Sequence, residues 1–235
     1  MPRYYKITGL TVEMDSFGRT ITQAEPYLTE PEKPDIVISS DWLSLQKDQP
    51  HLTKDECEYI ATGANFYNQL LDFDGMLLHA SAVILDGWAY LFSAPSGTGK
   101  STHTTLWREV FGEDRALILN DDKPALRFEE GRFYAYGTPW SGKTDMNINR
   151  RVPLAGICML GRGECNEIEP FAGVQALHAL LEQTVRPRDA VKTVKLLGLL
   201  DKLFAQVPVW KMKCNMDPEA ARVSYQAMSA VRKER

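Results

Sequence analysis

The densest chemical signal in this sequence is the run Ser96-Gly97-Thr98-Gly99-Lys100-Ser101-Thr102. Two glycines so close together let successive backbone N–H groups turn toward an oxyanion. A lysine just after them can reach outer phosphates, and a serine hydroxyl can ligate a hard divalent cation. An apolar strand-like run, residues 88–93, precedes the loop, and a helical run, residues 102–111, follows it, so a helix N-terminus would face the same anion. The full spacing G-x-x-x-x-G-K-[ST] would need glycine where Ala94 stands.

A second segment, residues 137–144 (Gly-Thr-Pro-Trp-Ser-Gly-Lys-Thr), matches every letter of that spacing. Its context is wrong for the chemistry. Residues 145–153 have poor helix propensity and end on Pro153, and Pro139 removes a donor from the loop. Residues 94–101 are therefore the expected nucleotide loop. Residues 137–144 are expected to lie near the site, with Lys143 left open as a contact to phosphate or substrate.

Residues 115–119 form an apolar strand that runs into Asn120-Asp121-Asp122. Two carboxylates at a strand end suit a metal-nucleotide site: one holds the cation and the other takes a proton from an attacking hydroxyl. Asp-Asp-Lys-Pro is also good turn chemistry, and it is the glycine loop that decides for a site. Of the four histidines, His51, His103 and His178 read as packing or surface residues. Arg186 and Arg188 flank Pro187 and fit either transition-state arginines or a solvated turn.

The elements that must position these groups follow from periodicity. Residues 4–14 read as a strand, residues 15–18 as a turn and residues 36–38 as a second strand. Residues 54–71 form an amphipathic helix. Residues 76–85 read as a strand, turned by Asp86-Gly87 into the strand 88–93. Strands are expected at 124–136, 153–160 and 207–214, with helices at 171–184, 188–206 and from Pro218. The chain has 235 residues and a net charge of −4, and six basic and eleven acidic side chains fall in residues 1–60. Such a balance does not bind nucleic acid by bulk charge. No apolar stretch approaches the ~18 residues of a membrane span, and no leader-like run opens the chain. The four scattered cysteines suggest reduced structural thiols rather than zinc. A cytoplasmic protein is expected.

With these motifs in place, the sequence resembles the catalytic domain of HPr kinase/phosphorylase and its relatives, the fold class shared with phosphoenolpyruvate carboxykinase. The resemblance runs from about Leu77 through Ser101 to Asp122, with a weaker echo in the last strand and helix. It rests on the Asp-Gly hairpin directly before the glycine loop, on His79 in the first hairpin strand, and on Asp121-Asp122 after the following helix. The resemblance implies an α/β fold of the P-loop kinase type: a mixed sheet with a hairpin before the loop, and flanking helices. Residues 75–235 would be the catalytic domain, and residues 1–74 an acidic strand/helix region of unread role.

By the same resemblance, Ser96, Gly97, Thr98, Gly99, Lys100, Ser101 and Thr102 would bind ATP, and Ser101 and Asp121 would bind Mg²⁺. Asp122 would accept the hydroxyl proton, Lys100 would hold the outer phosphates, and His79 would orient Asp122. The function implied is phosphotransfer from Mg-ATP to a hydroxyl, most simply a serine of a small protein or peptide. A small-molecule kinase and an ATP-dependent regulator without fast chemistry are the alternatives. Residues 137–151 lack the Glu-Val-Arg-Gly signature of that family, so neither HPr as acceptor nor the reverse phosphorylase reaction is implied. A homo-oligomer is compatible with the family; nucleic acid and membrane are not expected partners.

Overall fold

The alternating residues at the start of the chain do make strand, but a turn at Thr8-Gly9 cuts it in two. β1 (Arg3–Ile7) and β2 (Leu10–Met14) form an antiparallel hairpin in place of the single strand expected over 4–14. Thr8 and Gly9 take φ of 54° and 82°, the left-handed pair that a tight hairpin needs. Threonine is not a usual signal for that position. The computed structural model describes residues 2–230; residue 1 and residues 231–235, the outer ends of the two expected segments, lie outside the described residues.

A short helix, α1 (Gly18–Ala24), leads to β3 (Ile36–Ile38), which pairs parallel with β2 and completes a three-stranded sheet. α2 (Trp42–Asp48) and α3 (Lys54–Leu70) follow. α3 opens on a reciprocal cap: Thr53 Oγ1 accepts from Glu56 N, and Glu56 accepts from Thr53 N. The cap satisfies two orphan donors and fixes where the helix starts.

The rest of the chain builds a nine-stranded mixed sheet. Its first strands are β4 (Gly75–Leu77), β5 (Ala80–Leu85) and β6 (Trp88–Ser93). The apolar run 76–85 is thus not one strand. The N–H groups of Leu78 and His79 go to Pro124 O and Gln183 O, which breaks the ladder, so His79 sits at the break and not within a hairpin strand. α4 (Lys100–Phe111) follows, starting two residues earlier than expected, and then β7 (Leu117–Asn120). The expected strand at 124–136 is a hairpin, β8 (Ala125–Glu129) and β9 (Arg132–Tyr136), turned by Glu130-Gly131. β10 (Arg151–Arg162), the unexpected polar edge strand β11 (Glu167–Pro170), α5 (Gly173–Glu182), α6 (Ala190–Gln206), β12 (Val209–Cys214) and α7 (Glu219–Ala230) complete the chain.

The strand order is β4-β8-β9-β10-β6-β5-β7, with β12 beside the second half of β10 and β11 outside it. β6 lies between β10, parallel to it, and β5, antiparallel to it. Its alternate residues serve two cores. Ala89 and Leu91 face the layer of α5 and α6, while Tyr90 and Phe92 face that of α4 and α7. A strand buried on both faces holds the loop at its end firmly. The sheet with helices on both faces is the mixed α/β architecture expected. A third cluster joins the N-terminal sheet and α3 to Leu77, Tyr136 and Trp140. Among the described residues, no helix is long and apolar enough to cross a membrane.

Candidate active site

β6 ends at Ser93, and the chain turns through residues 94–99 into α4. Gly97 and Gly99 take φ of 77° and 120°, and a Cβ on either would meet nothing within 4 Å. The loop therefore has the backbone freedom of a nest and open space above it. Ala94 keeps ordinary negative φ and is fully buried, which explains why no glycine is needed there. Lys100, the first residue of α4, donates to Ala94 O at 2.9 Å and closes the loop on itself. Burial lowers its pKa, while the fields of Asp122 and Asp121 oppose that shift. Arg162 Nη2 donates to Gly97 O at 2.6 Å and braces the loop from outside.

The two carboxylates are aimed by Asn120. Its side-chain oxygen accepts from the N–H groups of Asp122 and Lys123, and its amide donates to Thr138 O. Asp121 is buried, and both its oxygens accept hydroxyl hydrogen bonds: Ser81 at 2.5 Å and Thr144 at 2.8 Å. Asp122 faces the cleft. His79 Nε2 lies 3.2 Å from its Oδ1, and Lys123 Nζ and the Tyr59 hydroxyl reach its Oδ2. Burial pushes the Asp122 carboxyl up, but the His79 hydrogen bond and Lys123 outweigh it and hold the group well below the usual carboxylate range. The other nitrogen of His79, Nδ1, lies 3.1 Å from Gln183 Oε1.

The segment 137–144 comes to the same cleft by another route. Trp140 is fully buried against Phe66 and Gly63, and a Cβ on Gly137 would lie 1.9 Å from Ile148 O. Gly137 is there for packing. Residues 142–145 form a turn with no helix behind it, as the sequence context implied. Gly142 N donates to the Tyr59 hydroxyl at 2.8 Å, which sets Gly142 against Asp122 and carries Lys143 into the cleft.

One cleft of about 580 Å³ gathers Ser96, Gly97, Gly99, Lys100, Ser101 and Thr102 with His79, Asp121 and Asp122. Thr98 faces a neighbouring cavity instead. Lys143 lines the cleft; Arg186 and Arg188 do not. His51 and His178 are exposed, and His103 is buried and bonded to Ser224. Sequence reasoning missed Tyr59, Lys123, Arg19, Ser81, Thr144 and Gln183. Only Lys123, next to the aspartates, and Thr144, at the end of the 137–144 segment, carried a local signal. Arg19 enters the cleft by stacking 4.0 Å above the Tyr59 ring. The cleft thus combines an anion-accepting nest and a cation on one wall with an ionised, partly desolvated carboxylate on the other. That pairing can hold an oxyanion beside a proton acceptor.

The family model for SynChlorMet cassette protein ScmC matches residues 57–196, more than half of the chain and all of the cleft lining except Arg19, Leu52 and Glu56. No curated protein matches the sequence. Among solved structures, the HPr(Ser) kinase/phosphatase from Coxiella burnetii aligns at 10% identity with a TM-score of 0.40, covering 68% of this chain and 99% of that one.

Proposed function

We propose that this chain, which belongs to the SynChlorMet cassette protein ScmC family, is a Mg-ATP-dependent phosphotransferase acting on a hydroxyl of a small protein or peptide. The observation that carries the reading is the meeting, in one cleft, of the strand–glycine loop–helix unit bearing Lys100 with the His79–Asp122 pair. The open nest at Gly97 and Gly99 fits a phosphate chain. Ser101 and Asp121 supply the oxygen donors that Mg²⁺ prefers, and the ion would offset charge on the outer phosphates.

Each step follows from a residue. Lys100 and the N-terminal amides of α4 hold the outer phosphates and offset the charge moving through the transition state. The acceptor oxygen forms a bond to the terminal phosphorus as the bond to the bridging oxygen breaks, releasing ADP, and the hydroxyl proton passes to Asp122. A carboxylate held this low is a weak base, but phosphoryl transfer has a loose transition state in which positioning counts for more than base strength. His79 orients Asp122, and Asn120 fixes the turn beneath it. Ser81 and Thr144 keep Asp121 in place for the metal.

A second reading, an ATP-dependent regulator without fast chemistry, draws on the same low pKa of Asp122, whose charge is already satisfied by Lys123 and His79. Purified protein incubated with γ-labelled ATP and cell extract separates the readings. A labelled protein or peptide is expected. A labelled small molecule would move the reading to a metabolite kinase, and bound ATP with no labelled product would favour the regulator.

A further inference from the structure

The cleft is not symmetrical about Asp122. On one side lies the glycine loop, behind which a second cavity of about 540 Å³ shares Gly97, Gly99 and Thr102 with the cleft and is walled by Leu106, Leu160 and Met216. A nucleoside seated there leads its phosphates over the loop toward Asp122. On the other side stand Arg19 and Lys143. Arg19 is stacked on Tyr59, whose hydroxyl bonds Asp122, and Lys143 follows Gly142, whose N–H bonds the same hydroxyl.

Neither cation has a carboxylate partner among the described residues: no carboxylate forms an ion pair with the side chain of Arg19 or of Lys143, and Arg19 Nε is buried without a partner. Glu56 feels both charges, yet its Oε2 is taken by Thr53 N and Thr53 Oγ1, each at 2.9 Å. Arg19 is half-buried, so its uncompensated charge is costly and a ligand carboxylate offsets that cost; Lys143 is exposed and adds a second cation to the same lining. Leu52 and Ile60 add an apolar flank to the same end, Ile60 being 41% exposed.

We infer that the acceptor carries a carboxylate close to its reactive hydroxyl, read by Arg19 and Lys143 at the end of the cleft remote from the nucleoside. The inference rests on the kinase reading above. The hydroxyl reaches Asp122 from the Tyr59 side, the carboxylate spans Arg19 and Lys143, and a neighbouring apolar side chain lies on Leu52 and Ile60. The first 74 residues thereby supply selectivity, since Arg19, Leu52, Glu56, Tyr59 and Ile60 all come from them.

The test uses serine peptides of one length, each made with Asp or Asn beside the serine and with a free or amidated C-terminus. Transfer from γ-labelled ATP is measured on the full chain, and Mg-ATP affinity is measured in parallel by calorimetry. The carboxylate-bearing peptides should show kcat/KM about tenfold or more above their amide counterparts. Arg19→Gln and Lys143→Gln should each erase that preference, acting on KM more than on kcat, with Mg-ATP affinity kept; Arg19→Lys should restore part of it. A preference for Asp over Asn identifies a side chain as the source, and one for the free over the amidated terminus identifies a chain end. Equal transfer to carboxylate and amide peptides overturns the inference and leaves the kinase reading standing. Mg-ATP binding without transfer to any peptide overturns the inference together with the peptide acceptor. Loss of Mg-ATP binding by the parent chain itself overturns the kinase reading, and the inference falls with it.

Discussion

The Tyr59 hydroxyl donates to Asp122 Oδ2 at 3.2 Å while accepting from Gly142 N at 2.8 Å. One phenol therefore ties α3, the aspartate turn and the 137–144 loop into a single wall. The contact makes the first 74 residues part of the site and not an appendage to it. Burial, with the Asp122 charge next, pushes the Tyr59 hydroxyl far above the usual phenol range, so it is a donor throughout the working pH range.

Tyr59→Phe keeps the ring under Arg19 and removes only the hydroxyl. A hydrogen bond to a charged group contributes about 1.5–3 kcal/mol, so phosphotransfer should fall by roughly ten- to a hundredfold. Mg-ATP affinity should stay near that of the parent, because the phenol touches the carboxylate and not the glycine loop. Steady-state transfer and calorimetry on the two proteins read both quantities.

Lys100 and Lys143, the lysines of the two glycine-containing loops in the cleft, should separate cleanly. Lys100 closes a nest at a helix N-terminus, whereas Lys143 sits in a turn with no helix behind it. Lys100→Ala should weaken Mg-ATP binding by at least tenfold, about 1.4 kcal/mol, and Lys143→Ala should change it little. Chelation of Mg²⁺ should mimic the Lys100 variant. A dominant role of Lys143 in calorimetry would reverse the choice of loop.

Glu58 gives stability a pH dependence independent of catalysis. It is fully buried, and Thr20 Oγ1 donates to its Oε2. Burial, outweighing the Thr20 and Phe17 hydrogen bonds, pushes its pKa from 4.5 up to about 7. The folded state thus binds the proton more tightly than the unfolded chain. The stabilisation is complete below pH 4.5 and is lost as pH rises through about 7. Thermal unfolding between those values should show a melting temperature that falls with pH, and Glu58→Gln should flatten that slope. An unchanged slope in the variant would assign the dependence elsewhere.

What the sequence revealed about the site was what lies close together along the chain. Residues 96–102 and Asn120-Asp121-Asp122 each form a local unit whose spacing carries its own chemistry, and the Asp86-Gly87 turn, with φ of 51° and 78°, is equally local. The partners that aim these groups are distant. Tyr59 lies 63 residues from Asp122, and Gln183 lies 104 from His79. Nothing in the neighbourhood of either marks it. The break at Leu78-His79 was hidden for the same reason, since Pro124 and Gln183 draw off its N–H groups. The apolar run itself gave no sign. In the 137–144 segment, letters and physics diverge: its first glycine is required by Ile148 O and its tryptophan by the core.

The most direct test of phosphotransfer is Asp122→Asn. The substitution keeps the size of the side chain and its contacts to Tyr59 while removing the proton acceptor. A general base typically contributes roughly 10²–10⁴-fold, about 3–5 kcal/mol of barrier. The variant should bind Mg-ATP within a small factor of the parent yet lose most transfer to the acceptor, and His79→Ala should lose less, because it only orients that carboxylate. The decisive measurement is single-turnover transfer from γ-labelled ATP to an identified acceptor by parent and Asp122→Asn, each saturated with Mg-ATP. A fall of at least a hundredfold with nucleotide affinity retained is the predicted result; undiminished transfer by the variant would contradict the account.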